Sequence, residues 1–75
     1  MDNKTLEIKL KEIGMADKEA KVFLASLELG SSTVQEIAKK AEINRATTYV
    51  IIEKLTKKGL MSSVEKGKKT FFQTE

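Results

Sequence analysis

Arg45 is the only arginine in a chain that otherwise carries positive charge on thirteen lysines, and Tyr49, four positions later, is the only tyrosine. A spacing of four puts both on one side of a helix. A guanidinium is a rigid fork of donors that can grip a guanine edge or a phosphate with two parallel hydrogen bonds, which a lysine cannot do. Tyr49 adds a hydroxyl that can bond a phosphate oxygen. Between and beside them, Ala46, Thr47 and Val50 offer methyl groups suited to thymine. Together these are the residue types of a base-reading surface. Arg45 could instead pair with Glu42 or Glu53, or hold a phosphate without reading a base.

These residues need a helix whose first turns are presented to a ligand. Asn44 suits the N-cap of such a helix, because its short side-chain oxygen can accept an amide of the first turn. Thr48, Ile51, Ile52 and Leu55 cluster on one side and define the buried face. Ala46, Val50, Glu53 and Lys57 fall opposite, flanked by Thr47, Tyr49 and Lys54. The helix is expected over residues 45–58, stopped by Gly59 at the position after the C-cap. Before it, Thr33 and Glu36 form a capping box that starts a shorter helix at Val34. Val34, Ile37, Ala38 and Ala41 make its apolar stripe, while Gln35, Lys39, Lys40 and Glu42 face water. Two short helices across a tight turn make a helix-turn-helix over residues 33–59. Its second helix is the recognition helix, whose N-terminal residues reach base edges in the major groove.

Periodicity changes after Gly59. Residues 60–64 and 70–73 read as two strands joined by a loop at 65–69, with Gly67 supplying the positive φ of a tight hairpin. This wing, spanning about residues 60–74, carries Lys66, Lys68 and Lys69 near its tip, free to approach phosphates. Upstream, Leu6, Leu10 and Ile13 predict a first helix over residues 3–14. Ala20, Phe23, Leu24 and Leu27 predict a second over residues 17–29, ending at Gly30. Residues 31–33 are expected to be an extended link that could add a third strand to the wing. The fold class that follows is mainly α with a small β-hairpin wing: a winged helix-turn-helix of three core helices plus an extra N-terminal helix, in one domain over residues 1–75.

Net charge is +3, yet residues 39–69 hold nine basic and three acidic side chains while residues 1–38 hold five basic and seven acidic ones. Basic charge is thus concentrated on the motif and the wing, where a nucleic-acid face requires it. Lys39, Lys40, Lys54, Lys57, Lys66, Lys68 and Lys69 are the expected phosphate contacts. With no Cys and no His, the chain has no disulfide framework, no thiolate or imidazole for catalysis and no zinc site of the usual kind. The eleven carboxylates are scattered over helix surfaces with no evident acid–base pair. Neither a metal, nor a cofactor, nor an enzyme activity is expected. Apolar runs are far shorter than a membrane span and no signal peptide opens the chain, so a soluble, cytoplasmic protein is expected.

The elements Gly14-Met15, Glu19-Ala20, Leu27-Glu28-Leu29-Gly30, Glu36-Ile37-Ala38, Tyr49 and Lys58-Gly59-Leu60 resemble the N-terminal domain of the TrmB family of archaeal and bacterial transcriptional regulators. The resemblance covers roughly residues 6–73, and MarR proteins are a related winged-helix family. It implies sequence-specific binding to double-stranded promoter DNA, usually as a homodimer on a palindromic site, with Arg45, Thr47 and Tyr49 on the DNA and the wing lysines on phosphates. Ala16 departs from the threonine N-cap common in the family, so Asp17 is expected to cap instead. Asn44 and Val50 stand where the family often has Pro and Asp, which leaves base preference open. The sugar-sensing region of long family members is not found, so no small-molecule effector site is expected within these residues. A competing reading is a winged-helix module that docks another protein, for which an exposed Ala46 and Val50 would suffice. RNA is a weaker partner, because the A-form major groove is too narrow for a helix and aromatic stacking platforms are missing.

Overall fold

In the computed structural model, which describes residues 3–75, local capping sets the boundaries of the central helices. The elements run α1 Asn3–Glu12, α2 Asp17–Leu29, α3 Val34–Ala41, α4 Arg45–Lys57, β1 Met61–Lys66 and β2 Lys69–Thr74. At α3 the Glu36 amide donates to Thr33 Oγ1 at 3.3 Å and the Thr33 amide donates to Glu36 Oε1 at 2.9 Å, which closes the capping box. At α4 the Thr47 amide donates to Asn44 Oδ1 at 2.8 Å. Both helices begin where the caps predict.

Three helix ends are built alike. After α1, α3 and α4 the chain turns through positive φ at Gly14, Glu42 and Gly59. In each case the next residue, Met15, Ile43 or Leu60, donates its amide back to the carbonyl of Leu10, Ala38 or Leu55. This is the Schellman arrangement, and the apolar residue that follows the turn is drawn into the core by it. Gly59 adopts the turn without a Cβ penalty. Glu42 adopts it at φ 59°, ψ 41°, a conformation that costs a side-chain-bearing residue ~1–2 kcal/mol.

That geometry corrects the reading of α1. Ile13 is 77% exposed and Met15 is buried in its place, because the helix stops at Glu12 and the turn at Gly14 swings the chain back onto the core. Leu6 is half-buried and Leu10 packs against the core as expected. In α2, Leu27 is exposed, whereas Val22, Ala25 and Ser26 are buried beside Ala20 and Leu24, with Phe23 partly so. A single-stripe reading assumes one covered face, but α2 packs against α1, α3, α4 and β2. Ser26 tolerates burial because its hydroxyl donates to the Val22 carbonyl at 2.9 Å. Asp17 does not cap α2. The N-cap is Ala16, whose amide donates to Glu19 Oε1 at 2.9 Å, while the Asp17 carboxylate pairs with Lys11 and Lys21 and is held below its ordinary pKa, chiefly by the hydrogen bond from Lys11.

The core gathers Val22, Ile37, Ile52, Leu55 and Met61, all fully buried, with Phe72 covering them from β2. Thr48 shares this interior because its Oγ1 donates to the Asn44 carbonyl at 2.8 Å. β1 and β2 pair antiparallel from Met61↔Thr74 to Lys66↔Lys69. The hairpin therefore turns in two residues, Gly67 and Lys68, rather than through the longer loop expected at 65–69. Polar residues at 65, 66 and 69 read as loop in sequence, yet a solvent-washed ribbon accepts them in its ladder. Gly67 at φ 63°, followed by Lys68 at negative φ, has the φ signs of a type II′ turn, which matches the twist of the strands. The expected third strand is a single bridge: the Ser32 amide donates to the Phe72 carbonyl at 3.0 Å and the Phe72 amide to the Ser32 carbonyl at 2.7 Å. Among the described residues no helix is long and apolar enough to cross a membrane.

Candidate nucleic-acid interface

A groove of about 930 Å³ opens between the first turns of α4, the N-terminus of α3 and the wing. From α4 it takes Arg45, Ala46 and Tyr49; from the start of α3, Thr33, Val34 and Gln35; from the wing, Ser63, Glu65, Lys68, Lys69, Thr70 and Phe72. Strand periodicity sorts the wing residues. Ser63, Glu65, Thr70 and Phe72 share one face of the ribbon, since register pairs Ser63 with Phe72 and Glu65 with Thr70, while Lys68 comes from the two-residue turn and Lys69 from the first position of β2.

Two contacts set the width of the groove. The Tyr49 ring meets the Phe72 ring edge-to-face, centroids 6.4 Å apart at 80°, an arrangement favoured by the ring quadrupoles. The bridge between Ser32 and Phe72 then ties the same strand to the link that enters α3. Tyr49 is still 49% exposed, so its phenol both braces the wing and faces the groove. Sequence alone suggested only the second role.

Electrostatics favour an anion. Among the described residues, the ion pairs within 4.0 Å occupy Lys11, Lys21, Lys40 and Lys58, which leaves Arg45, Lys68 and Lys69 outside them. The Glu36 carboxyl lies below its ordinary pKa because it accepts the Thr33 amide and hydroxyl, and because the charge of Lys69 reaches it. Glu65 opposes the cations from within the groove, so its field is positive but not uniformly so.

Of the twelve residues singled out from sequence, the groove collects Arg45, Ala46, Tyr49, Lys68 and Lys69. Val50, Lys54 and Lys57 stand exposed on the outer face of α4, and Lys39 on α3. Thr47 is half-buried with its amide engaged by the cap. Lys66 is exposed near the turn but does not line the groove. Lys40 sits in a separate cleft with its ammonium 3.2 Å from Glu28. Sequence reasoning passed over Thr33, Val34, Gln35 and the inner wing residues Ser63, Glu65, Thr70 and Phe72. Gln35 had one available signal, its place just inside a capped helix that must abut the recognition helix; the wing residues had none before the register was known.

Solved structures share this architecture. The chain superimposes on TrmBL2, described as an archaeal chromatin protein with a novel mode of DNA binding, with a TM-score of 0.85 and 24% identity over 99% of this chain and 29% of that one. It matches a MarR family transcriptional regulator from Silicibacter pomeroyi (TM-score 0.77, 12% identity, 97% of this chain and 53% of that one). It also matches MepR, a transcription regulator of the Staphylococcus aureus multidrug efflux pump MepA (TM-score 0.75, 14% identity, 97% and 56%). The chain thus spans between about a third and somewhat over half of those proteins. At these identities the likeness establishes the winged-helix fold. No curated protein matches the sequence. The profile of the family described as sugar-specific transcriptional regulator TrmB matches residues 10–74, nearly the whole chain, and the protein therefore belongs to the TrmB family of transcriptional regulators.

Proposed function

We propose that this protein binds double-stranded DNA sequence-specifically as a transcriptional regulator, with α4 in the major groove and the wing on the phosphate backbone. One observation carries the proposal: Arg45 and Tyr49 on the first turns of α4 and Lys68 and Lys69 on the wing converge on a single groove, with Arg45 outside every ion pair among the described residues. A duplex strand running between helix and wing would meet Arg45 on its base side and the wing lysines on its phosphates. Family membership and the DNA binding described for TrmBL2 support the same reading. Lys39, Lys54 and Lys57, all exposed, would add phosphate contacts, whereas Lys66 lies outside the groove and Lys40 would first have to leave Glu28. Two copies on a two-fold site would combine the binding energy of two half-sites, which is how a homodimer would form on DNA. The setting would be the cytoplasm of an archaeal or bacterial cell, and no effector site is assigned to these residues.

The test is selection of bound duplexes from a random pool, followed by titration of the selected site against scrambled DNA at several salt concentrations. Preference for the selected site, with affinity falling linearly in log salt, is expected. Absence of duplex binding would leave protein docking, for which the exposed Ala46 and Val50 are the favouring observation.

A further inference from the structure

Tyr49, Val50, Ile51, Ile52 and Leu55 are the large apolar side chains of α4, and all but one have an internal explanation. Ile51, Ile52 and Leu55 are buried, and Tyr49 packs on Phe72. Val50 is left 51% exposed. Ala46, also exposed, lies one turn earlier on the same face, and Glu53 lies three residues later. A carboxylate cannot be seated on a phosphate, so the strip formed by Ala46, Val50 and Glu53 faces bases if it faces DNA at all. Arg45 and Lys54, to either side of it, are placed for the backbone or for a guanine at the strip's edge.

On the reading that α4 enters the major groove, we propose that Val50 and Ala46 recognise the C5-methyl groups of thymine, so that the preferred half-site carries thymines opposite the first two turns of α4. Base edges in the major groove are polar save for that methyl. A valine pressed against any other edge would strip water from a donor or acceptor whose hydrogen bond it cannot replace. Against thymine it removes two apolar surfaces from water at once. Glu53, accepting a hydrogen bond, fits an amino group on the next base, from cytosine or adenine.

Uracil differs from thymine only by this methyl, so replacing single dT by dU in a selected duplex deletes the proposed contact and leaves base pairing intact. Affinity is expected to fall about fourfold at each thymine under Val50 or Ala46, the ratio that burial of one methyl-sized group supports. Val50→Ser removes the apolar partner at an exposed site, where the two residues have similar helix propensity, so its melting temperature should match the parent. It should bind the dT and dU duplexes alike at one of those positions while still sensing the other. Duplex binding that is indifferent to dU everywhere would overturn methyl recognition and leave DNA binding standing. So would dU sensitivity that Val50→Ser does not change. Failure to bind any duplex would overturn the proposed function itself, and this inference with it.

Discussion

Lys68 and Lys69 line the groove and Lys66 does not, a distinction that a salt titration can resolve. Each phosphate neutralised by a lysine contributes roughly 0.9 to the slope of log affinity against log salt. Lys68→Ala combined with Lys69→Ala should therefore flatten the slope by about 1.8. Over a fourfold rise in salt, from ~50 to ~200 mM, the parent should lose about twelvefold more affinity than the double variant. Both side chains are exposed and outside the ion pairs, so the fold should be unaffected. Lys69 does lend its field to Glu36, but that carboxylate keeps its Thr33 hydrogen bonds without it. The control is Lys66→Ala, which should leave the slope nearly unchanged. Glu65→Gln, removing the acid from the same groove, should raise affinity for any duplex. Fluorescence anisotropy on one labelled duplex over a salt series suffices for all four proteins. A double variant with the parent's slope, or a Lys66→Ala variant that flattens it as much as the pair, would refute the assignment of the groove to the phosphate backbone.

Four further outcomes follow from named contacts. Leu55 is fully buried at the centre of the core, so Leu55→Ala should cost ~2–5 kcal/mol, a large share of the ~4–11 kcal/mol that a chain of this length has in total; a thermal melt matching the parent would contradict the packing. Glu42→Gly relieves a left-handed side-chain conformation at the turn of the helix-turn-helix, and after the extra flexibility it gives the unfolded chain it should gain ~0.5–1 kcal/mol in denaturant unfolding, with a loss showing that Glu42 has a role beyond the turn. Because the folded-state pKa of Glu36 lies below 4.5, its contribution is present above that value and is lost as pH falls through the depressed folded value; Glu36→Gln, which can still accept the Thr33 amide, should lose less stability across that acid window, and identical pH profiles of melting temperature would exclude this linkage. Arg45→Lys keeps the charge but not the fork, so discrimination at one base pair of the selected site should fall by about 1–3 kcal/mol while non-specific affinity is nearly retained, and an unaltered preference across single-base variants would exclude base reading by this residue.

Sequence by itself determined the features that depend on residues a few positions apart. The capping box of Thr33 and Glu36, the Asn44 cap, the Gly59 stop and the buried stripe of Thr48, Ile51, Ile52 and Leu55 all involve spacings within one or two helical turns, so residue type and spacing suffice to read them. The resemblance to a family was legible for a similar reason: its signature is a string of such local devices. Only the tertiary structure decided matters that turn on how each element is rotated about its axis and what stands beside it. It exposed Ile13 and Leu27, because a helix end that reverses and a helix covered on several sides do not obey a single stripe. It bound Lys40 to Glu28 across two helices, and set Tyr49 against Phe72, residues far apart in sequence. It also chose which face of the ribbon meets α4, since the inner and outer faces of a strand differ by a one-residue shift in register that the sequence of this polar wing does not resolve. The groove is made by that register and by the Ser32 bridge, which is why Arg45 and the wing lysines could be named one by one from the chain but brought together only by the fold.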